Sequence, residues 1–244
     1  MPVFRIPEQH LFPNPELANP QGLLGVGGDL DPERILLAYR HGIFPWYSQG
    51  QPILWWSPDP RMVLWVDALH VPRSLGKIIR RGDYRTTMDT AFAEVMTACA
   101  RVPRPGQEGT WITPELAVGF DALYRAGHAH SVEAWKDGEL VGGLYGLAVG
   151  QVFCGESMFT RAPNASKVAF VALVQQIQRW GFPLVDCQVY TPHLARFGAR
   201  EVPRKRFLSD LSVLGGRPGH VGRWVLDSDL AGPEDTDEAP TGES

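Results

Sequence analysis

Residues 130–159, "HSVEAWKDGELVGGLYGLAVGQVFCGESMF", decide the fold. Apolar and polar residues alternate on both sides of Asp137-Gly138, and an Asp-Gly pair between alternating runs marks a tight hairpin. "QVFCGESMF" continues as a third strand, so the stretch predicts three successive antiparallel strands. Residues 165–180 then read as a helix stopped by Gly181. After it comes "LVDCQV" (184–189), short, apolar and β-branched, the pattern of a buried strand. Three hairpin-linked strands, a helix and a further strand predict a mixed α/β layer fold.

Elsewhere the helices mark their own ends with a capping oxygen, proline at the first helical position and glycine past the last. Asp31-Pro32 opens a helix closed by Gly42, Thr113-Pro114 one closed by Gly127, and Thr191-Pro192 a short one closed by Gly198. The first sixty residues are dense in proline, glycine and tryptophan and predict a small N-terminal module. We therefore expect three parts: residues 1–61, a main domain over 62–226, and a tail over 227–244.

That tail explains the net charge. The formal value of −4 includes seven acids after Arg223, where no Lys or Arg occurs. Without them 23 bases face 20 acids. An acidic segment rich in Pro, Gly and Ser cannot bury itself and is expected to be disordered. Cys99, Cys154 and Cys187 lie far apart, which predicts a reduced cytoplasmic protein with neither disulfides nor zinc. No apolar run reaches membrane-spanning length, and the start lacks a signal-peptide pattern. His128 and His130 read as structural, since no third metal ligand accompanies them.

Three groups of residues suggest chemistry. In a regular strand Asp186 and Gln188 share a face, and Glu156 in "FCGESMF" is a second acid in an apolar run. An unpartnered buried carboxylate is costly. Each acid taken singly reads as half of a structural ion pair with an arginine, whereas two on neighbouring apolar strands suggest a site. Trp46 in "GIFPW" and Trp111 in "GTWIT" sit where the chain turns, and rings presented there suit an apolar pocket or a base-stacking platform. Trp55, Trp56 and Trp65 read as core. On a helix, Arg73, Lys77, Arg80 and Arg81 fall on one face, either a plain solvated surface or a patch for phosphates.

Taken together, "GGDL", "GIFPW", "WWSPDPR", "GTWIT", "GHAHSVEAW", "LVGGLYG", "FCGESMF", "NASK", "DCQ" and "HLARFGAREVPR" resemble the leucyl/phenylalanyl-tRNA–protein transferases over about residues 12 to 210. The resemblance implies an α+β chain whose main domain is N-acetyltransferase-like (GNAT), a mixed sheet with flanking helices, behind a small N-terminal domain. It implies a monomeric cytoplasmic enzyme with no cofactor and no membrane partner. Such an enzyme moves Leu or Phe, with Met a further candidate, from aminoacyl-tRNA to the N-terminal amine of proteins beginning with Arg or Lys, and the product is marked for degradation. Carried over residue by residue, Asp186 and Gln188 match the catalytic pair and are expected to face the attacking amine. Glu156 matches recognition of the acceptor's cationic side chain. Trp46, Trp111, Phe120, Leu144, Phe153, Met158 and Val185 match the pocket for the transferred side chain and the terminal adenosine. Arg73, Lys77, Arg80 and Arg81 match the tRNA-binding cluster. Phe120 stands where a tyrosine is expected, which removes a hydroxyl.

A CoA-dependent N-acetyltransferase is the main alternative. It needs a Gln/Arg-x-x-Gly-x-Gly/Ala turn to cradle pyrophosphate, and the two nearest fragments, from Arg73 and from Gln178, both fail at the last position. A non-catalytic RNA-binding module would leave the polar groups on the apolar strands without purpose. Transfer from tRNA to a cell-wall peptide is a third reading, separated by the identity of the acceptor.

Overall fold

The structure, a computed structural model, describes residues 3–102 and 110–233. A four-stranded sheet comes first, built from β1 (Phe4–Ile6), β2 (Leu23–Gly27), β3 (Phe44–Pro45) and β4 (Leu54–Trp56) in the order β1-β2-β4-β3. Helix α1 (Pro32–Arg40) links β2 to β3, and Asp31 Oδ1 caps it by accepting from the Glu33 amide at 2.9 Å.

The chain then enters a seven-stranded sheet. Its strands are β5 (Arg61–Trp65), β6 (Arg85–Met88), β7 (Ala129–Lys136), β8 (Glu139–Val149), β9 (Val152–Thr160), β10 (Leu184–Gln188) and β11 (Arg200–Val202), ordered β11-β5-β10-β9-β8-β7-β6. The expected hairpin is present, with Asp137 and Gly138 both left-handed at φ 52° and 74°. Strands β5, β6 and β11 are additions to the sequence reading. They are short or interrupted by polar residues, so alternation alone does not mark them.

Helices cover both faces. Helices α3 (Phe92–Ala100) and α4 (Pro114–Arg125) pack on one, and α5 (Ala165–Arg179) on the other, with α2 (Arg73–Arg81) resting on α5. Gly142 permits the close approach of α5, because a Cβ there would lie 2.6 Å from the Ala165 Cβ. The remaining helices are α6 (Pro192–Ala195), α7 (Arg204–Leu214) and α8 (Ser228–Ala231). The threonine caps are as expected: Thr113 Oγ1 accepts from the Leu116 amide and Thr191 Oγ1 from the Leu194 amide. No helix among the described residues is long and apolar enough to cross a membrane.

The C-terminal segment departs from the sequence expectation. Trp224 is fully buried, stacked 3.7 Å from the His130 ring, and its amide donates to Asp89 Oδ2. Asp89 also holds His130 Nδ1 at 2.9 Å, so His130 is structural. Asp227 and Asp229, expected in a disordered tail, both accept from Arg179, and α8 continues the ordered chain. A buried aromatic anchor just upstream delivers these acids to a cation on α5. Residues 234–244 of the expected tail lie outside the described residues.

Strands β9 and β10 position the site. They pair in parallel from Leu184↔Val152 to Asp186↔Cys154, and there the pairing ends. β9 runs on to Thr160 against β8 alone, while Gln188 pairs with Met62 of β5. The two strands part around Gly155 and Cys187, and a cavity opens between them.

Candidate active site

Strand β10 carries an irregularity at its polar end. Between Asp186 and Gln188 the register against β5 slips by one residue, and Gln188 takes a left-handed φ of 61°. The regular alternation expected from the sequence is therefore replaced by a bulge. Bulges re-aim side chains, and this one presents Asp186, Cys187 and Gln188 all to the cavity.

Asp186 has its own partner. Its Oδ1 accepts from Arg61 Nε at 2.8 Å and its Oδ2 from Arg61 Nη2 at 2.6 Å, with both side chains 1% exposed. Of the two readings open for this acid, the structure has the arginine pair, yet Asp186 itself borders the cavity. Arg61 also donates to the Gly42 carbonyl and lies over the Phe44 and Phe207 rings. Asp186 Oδ1 in turn accepts from the Gln188 amide at 2.9 Å, holding the left-handed turn.

Gln188 passes the network to Glu156. Gln188 Nε2 donates to Glu156 Oε1 at 2.6 Å, and the buried Tyr39 hydroxyl donates to the same oxygen at 2.5 Å. Glu156 Oε2 and Gln188 Oε1 have no hydrogen-bond partner among the described residues. Burial pushes the Glu156 carboxyl up to about 8, against the opposing pull of the Tyr39 and Gln188 hydrogen bonds. Burial, with Asp186 nearby, also pushes the Cys154 and Cys187 thiols up, so neither is a ready nucleophile.

The cavity holds about 630 Å³, within the size range of small-ligand sites. Trp46, Trp111, Leu144, Phe153, Met158 and Val185 all line it. The loops of Trp46 and Trp111 are tied together, since the hydroxyls of Tyr47 and Thr113 lie 2.8 Å apart. Phe120 is the exception among the expected pocket residues. It is fully buried beneath the site, edge-on to Tyr39 and Tyr145, and does not line the cavity. Helix α4 turns that residue into the core, where an apolar ring needs no partner.

Sequence reasoning missed Arg61, Tyr39, Lys167 and His193. Arg61 had a signal, a lone cation opening the apolar run "RMVLW" much as Asp186 interrupts another. Tyr39 had none beyond its place on the buried face of α1. Lys167 and His193 line the cavity wall. The cationic helix forms as expected, and Arg73, Lys77, Arg80 and Arg81 are all exposed on α2. Arg81 is shared with Asp83. The face lies outside the cavity lining.

The sequence profile of the leucyl/phenylalanyl-tRNA protein transferases matches residues 63–212, and that of their N-terminal domain matches residues 28–59. The chain belongs to this family of aminoacyltransferases. A leucyl/phenylalanyl-tRNA–protein transferase of Myxococcus xanthus is 58% identical over 92% of this chain and 97% of its own. One from Anaeromyxobacter dehalogenans is 57% identical over 96% of this chain and 99% of its own. A Nitratidesulfovibrio vulgaris relative of the same name is 54% identical over 94% and 99%. Among solved structures, L-PGS from Bacillus licheniformis aligns at 14% identity over 70% of this chain and 57% of that one, with a TM-score of 0.38. That likeness assigns no fold.

Proposed function

We propose that this chain transfers Leu or Phe, with Met a further candidate, from aminoacyl-tRNA to the α-amine of a protein beginning with Arg or Lys. One observation carries this reading. At the point where two strands part, a carboxylate with no salt bridge among the described residues (Glu156) and an amide oxygen (Gln188) meet an apolar cavity edged by two loop tryptophans. The apolar wall of Leu144, Phe153, Met158 and Val185 suits the transferred side chain, and the Trp46 and Trp111 rings suit the terminal adenosine. The parting of parallel strands around the site supports an N-acetyltransferase-like reading of residues 62–226.

In this scheme the acceptor nitrogen attacks the ester carbonyl carbon. The bond to the terminal ribose oxygen breaks, a peptide bond forms, and that oxygen leaves with a proton. An α-amine has a pKa near 8, so only about a tenth is neutral at pH 7. Gln188 Oε1 accepts from the amine N–H and aims its lone pair at the carbonyl, which contributes orientation and stabilises the charge developing on nitrogen. Glu156 Oε2 receives the guanidinium or ammonium of the first side chain. Asp186, with both oxygens occupied, acts by holding Gln188 and does not touch the amine. The face of Arg73, Lys77, Arg80 and Arg81 holds the phosphates of the tRNA acceptor stem.

An N-acetyltransferase using CoA is disfavoured. Arg73 to Gly76 form the first turn of α2 itself, the Gly76 amide already donates to the Pro72 carbonyl, and the fragment has Ile78 where the pyrophosphate turn needs Gly or Ala. The test is to mix the protein with labelled Leu-tRNA and peptides beginning with Arg, Lys or Ala. Label on the Arg and Lys peptides alone is the expected result. Equal label on the Ala peptide removes the specificity, and no transfer to any peptide removes the reaction.

A further inference from the structure

The wall of the cavity opposite the loop tryptophans has no role in the reaction so far. Strands β9 and β10 are parallel, and α5 joins them. The first turn of α5 therefore follows the carboxyl end of β9, the edge of such a unit where ligands gather, and a helix N-terminus there favours an anion. Trp111 leads into α4 on one face of the sheet and Lys167 lies in α5 on the other, yet both line the cavity. The cavity thus runs through the gap where the strands part.

The side chains at this turn are arranged for negative charge. Asn164 gives α5 no side-chain cap; its Oδ1 instead accepts from Lys167 Nζ at 2.8 Å, which steadies the ammonium at the cavity wall. Ser166 is 6% exposed and lines the cavity, and its hydroxyl has no hydrogen-bond partner among the described residues. A polar group so enclosed is normally paired, and the cavity is the side left open to it. Lys167 and Arg196 form no ion pair among the described residues. Burial, and then the charges of Lys167 and Arg196, hold the His193 imidazole below its ordinary range, so three basic groups share this wall. The two acids that line the cavity, Glu156 and Asp186, are already bonded to Tyr39, Gln188 and Arg61.

We propose that Lys167 and Ser166, at the first turn of α5, bind the 5′-phosphate of the donor's terminal nucleotide, with Arg196 on the strand's path from α2. This deepens the transfer reading given above and rests on it. On a ribose the 3′ oxygen and the 5′ carbon lie across the ring from the base. A base held by Trp46 and Trp111 sends the ester into the gap beside Gln188 and the phosphate on to the α5 wall. The cationic helix leads to the same place, since α2 rests on α5. The His70 amide also donates to the Phe197 carbonyl at 2.9 Å, tying the approach to α2 to the residue after Arg196. Lys167 is a binding residue in this scheme: it sets how deep the ester sits and takes no part in the bond changes.

The test compares adenosine, AMP and inorganic phosphate by calorimetry on the full chain. AMP should bind roughly 10- to 100-fold more tightly than adenosine, the gain expected of hydrogen bonds to a charged group. Lys167→Met should remove most of that difference while keeping the parent's affinity for adenosine, and Lys167→Arg should retain part of it. AMP no tighter than adenosine in the parent chain overturns the proposal, as does inorganic phosphate binding as tightly as AMP, or Lys167→Met with the difference intact. Transfer is read separately, with Leu esterified to the ribose of adenosine or of AMP and a peptide beginning with Arg. Lys167→Met should raise KM for the AMP ester to that of the adenosine ester, with kcat held. Transfer from both esters at one KM in the parent overturns the phosphate subsite and keeps the reaction. No transfer from either, with the preference for AMP intact, overturns the reaction and keeps the subsite.

Discussion

Replacing Arg61 by methionine separates the structural from the catalytic work of Asp186. The substitution leaves a carboxylate that is 1% exposed and, among the described residues, hydrogen-bonded only to the Gln188 backbone N–H and the Cys154 thiol. Removing one partner of a buried pair costs about 3–5 kcal/mol. At about 2–4 °C per kcal/mol for a chain of this size, Arg61→Met should lower Tm by roughly 6–20 °C. The double variant Arg61→Met/Asp186→Leu removes both charges, and apolar replacements of a buried pair are commonly neutral or stabilising. Its Tm should return to within a few degrees of the parent. Activity should not return with it. The Gln188 amide has lost the acceptor that holds its left-handed turn, and an ångström of misplacement can cost about 100-fold in rate. Thermal denaturation and single-turnover transfer of labelled Leu to an Arg peptide read the two effects separately. A double variant with both stability and rate restored refutes the positioning role, and an unchanged Tm for Arg61→Met refutes the buried pair.

Glu156→Gln should abolish most of the preference for Arg over Ala acceptors while leaving aminoacyl-tRNA binding intact; retained preference in competition assays sinks the recognition role. With its carboxyl raised to about 8, Glu156 is mostly protonated at pH 7 and must ionise to receive a cation. Affinity for an Arg peptide should therefore rise as pH increases toward 8, with protons released on binding at pH 7. Calorimetry in buffers of different ionisation enthalpy measures that release, and an N-acetylated Arg peptide removes the amine's own contribution. Trp111→Ala should raise KM for charged tRNA by roughly 5- to 150-fold, the range expected for one base–aromatic stack of about 1–3 kcal/mol. Reversing Arg80 and Arg81 to Glu should weaken tRNA binding and flatten its salt dependence, with most of the loss from Arg80, because Arg81 is already shared with Asp83.

Much of the architecture was readable one residue at a time because its causes act over a few positions. The Asp137-Gly138 turn demands positive φ at two adjacent residues, and the chain supplies residues that tolerate it. Asp31, Thr113 and Thr191 satisfy amides two or three residues ahead. Four cations at helical spacing make a charged face wherever that helix lies. Partner choice is a different matter. Arg61 and Asp186 are 125 positions apart, and Tyr39 and Glu156 are 117 apart. Only the packing of β5 beside β10, and of α1 against the sheet, brings them together.

The chain by itself determined the hairpin-linked strands β7 to β9, the helix and strand that follow them, the capped helices, the polar groups on apolar strands and the cationic helix. Tertiary structure alone decided that Asp186 is taken by an arginine, that a bulge turns Gln188 toward Glu156, and that Phe120 lies beneath the cavity. The physical reason is range. Capping and turn strain are local, whereas a buried charge finds its partner through strand register, which a single inserted residue can shift.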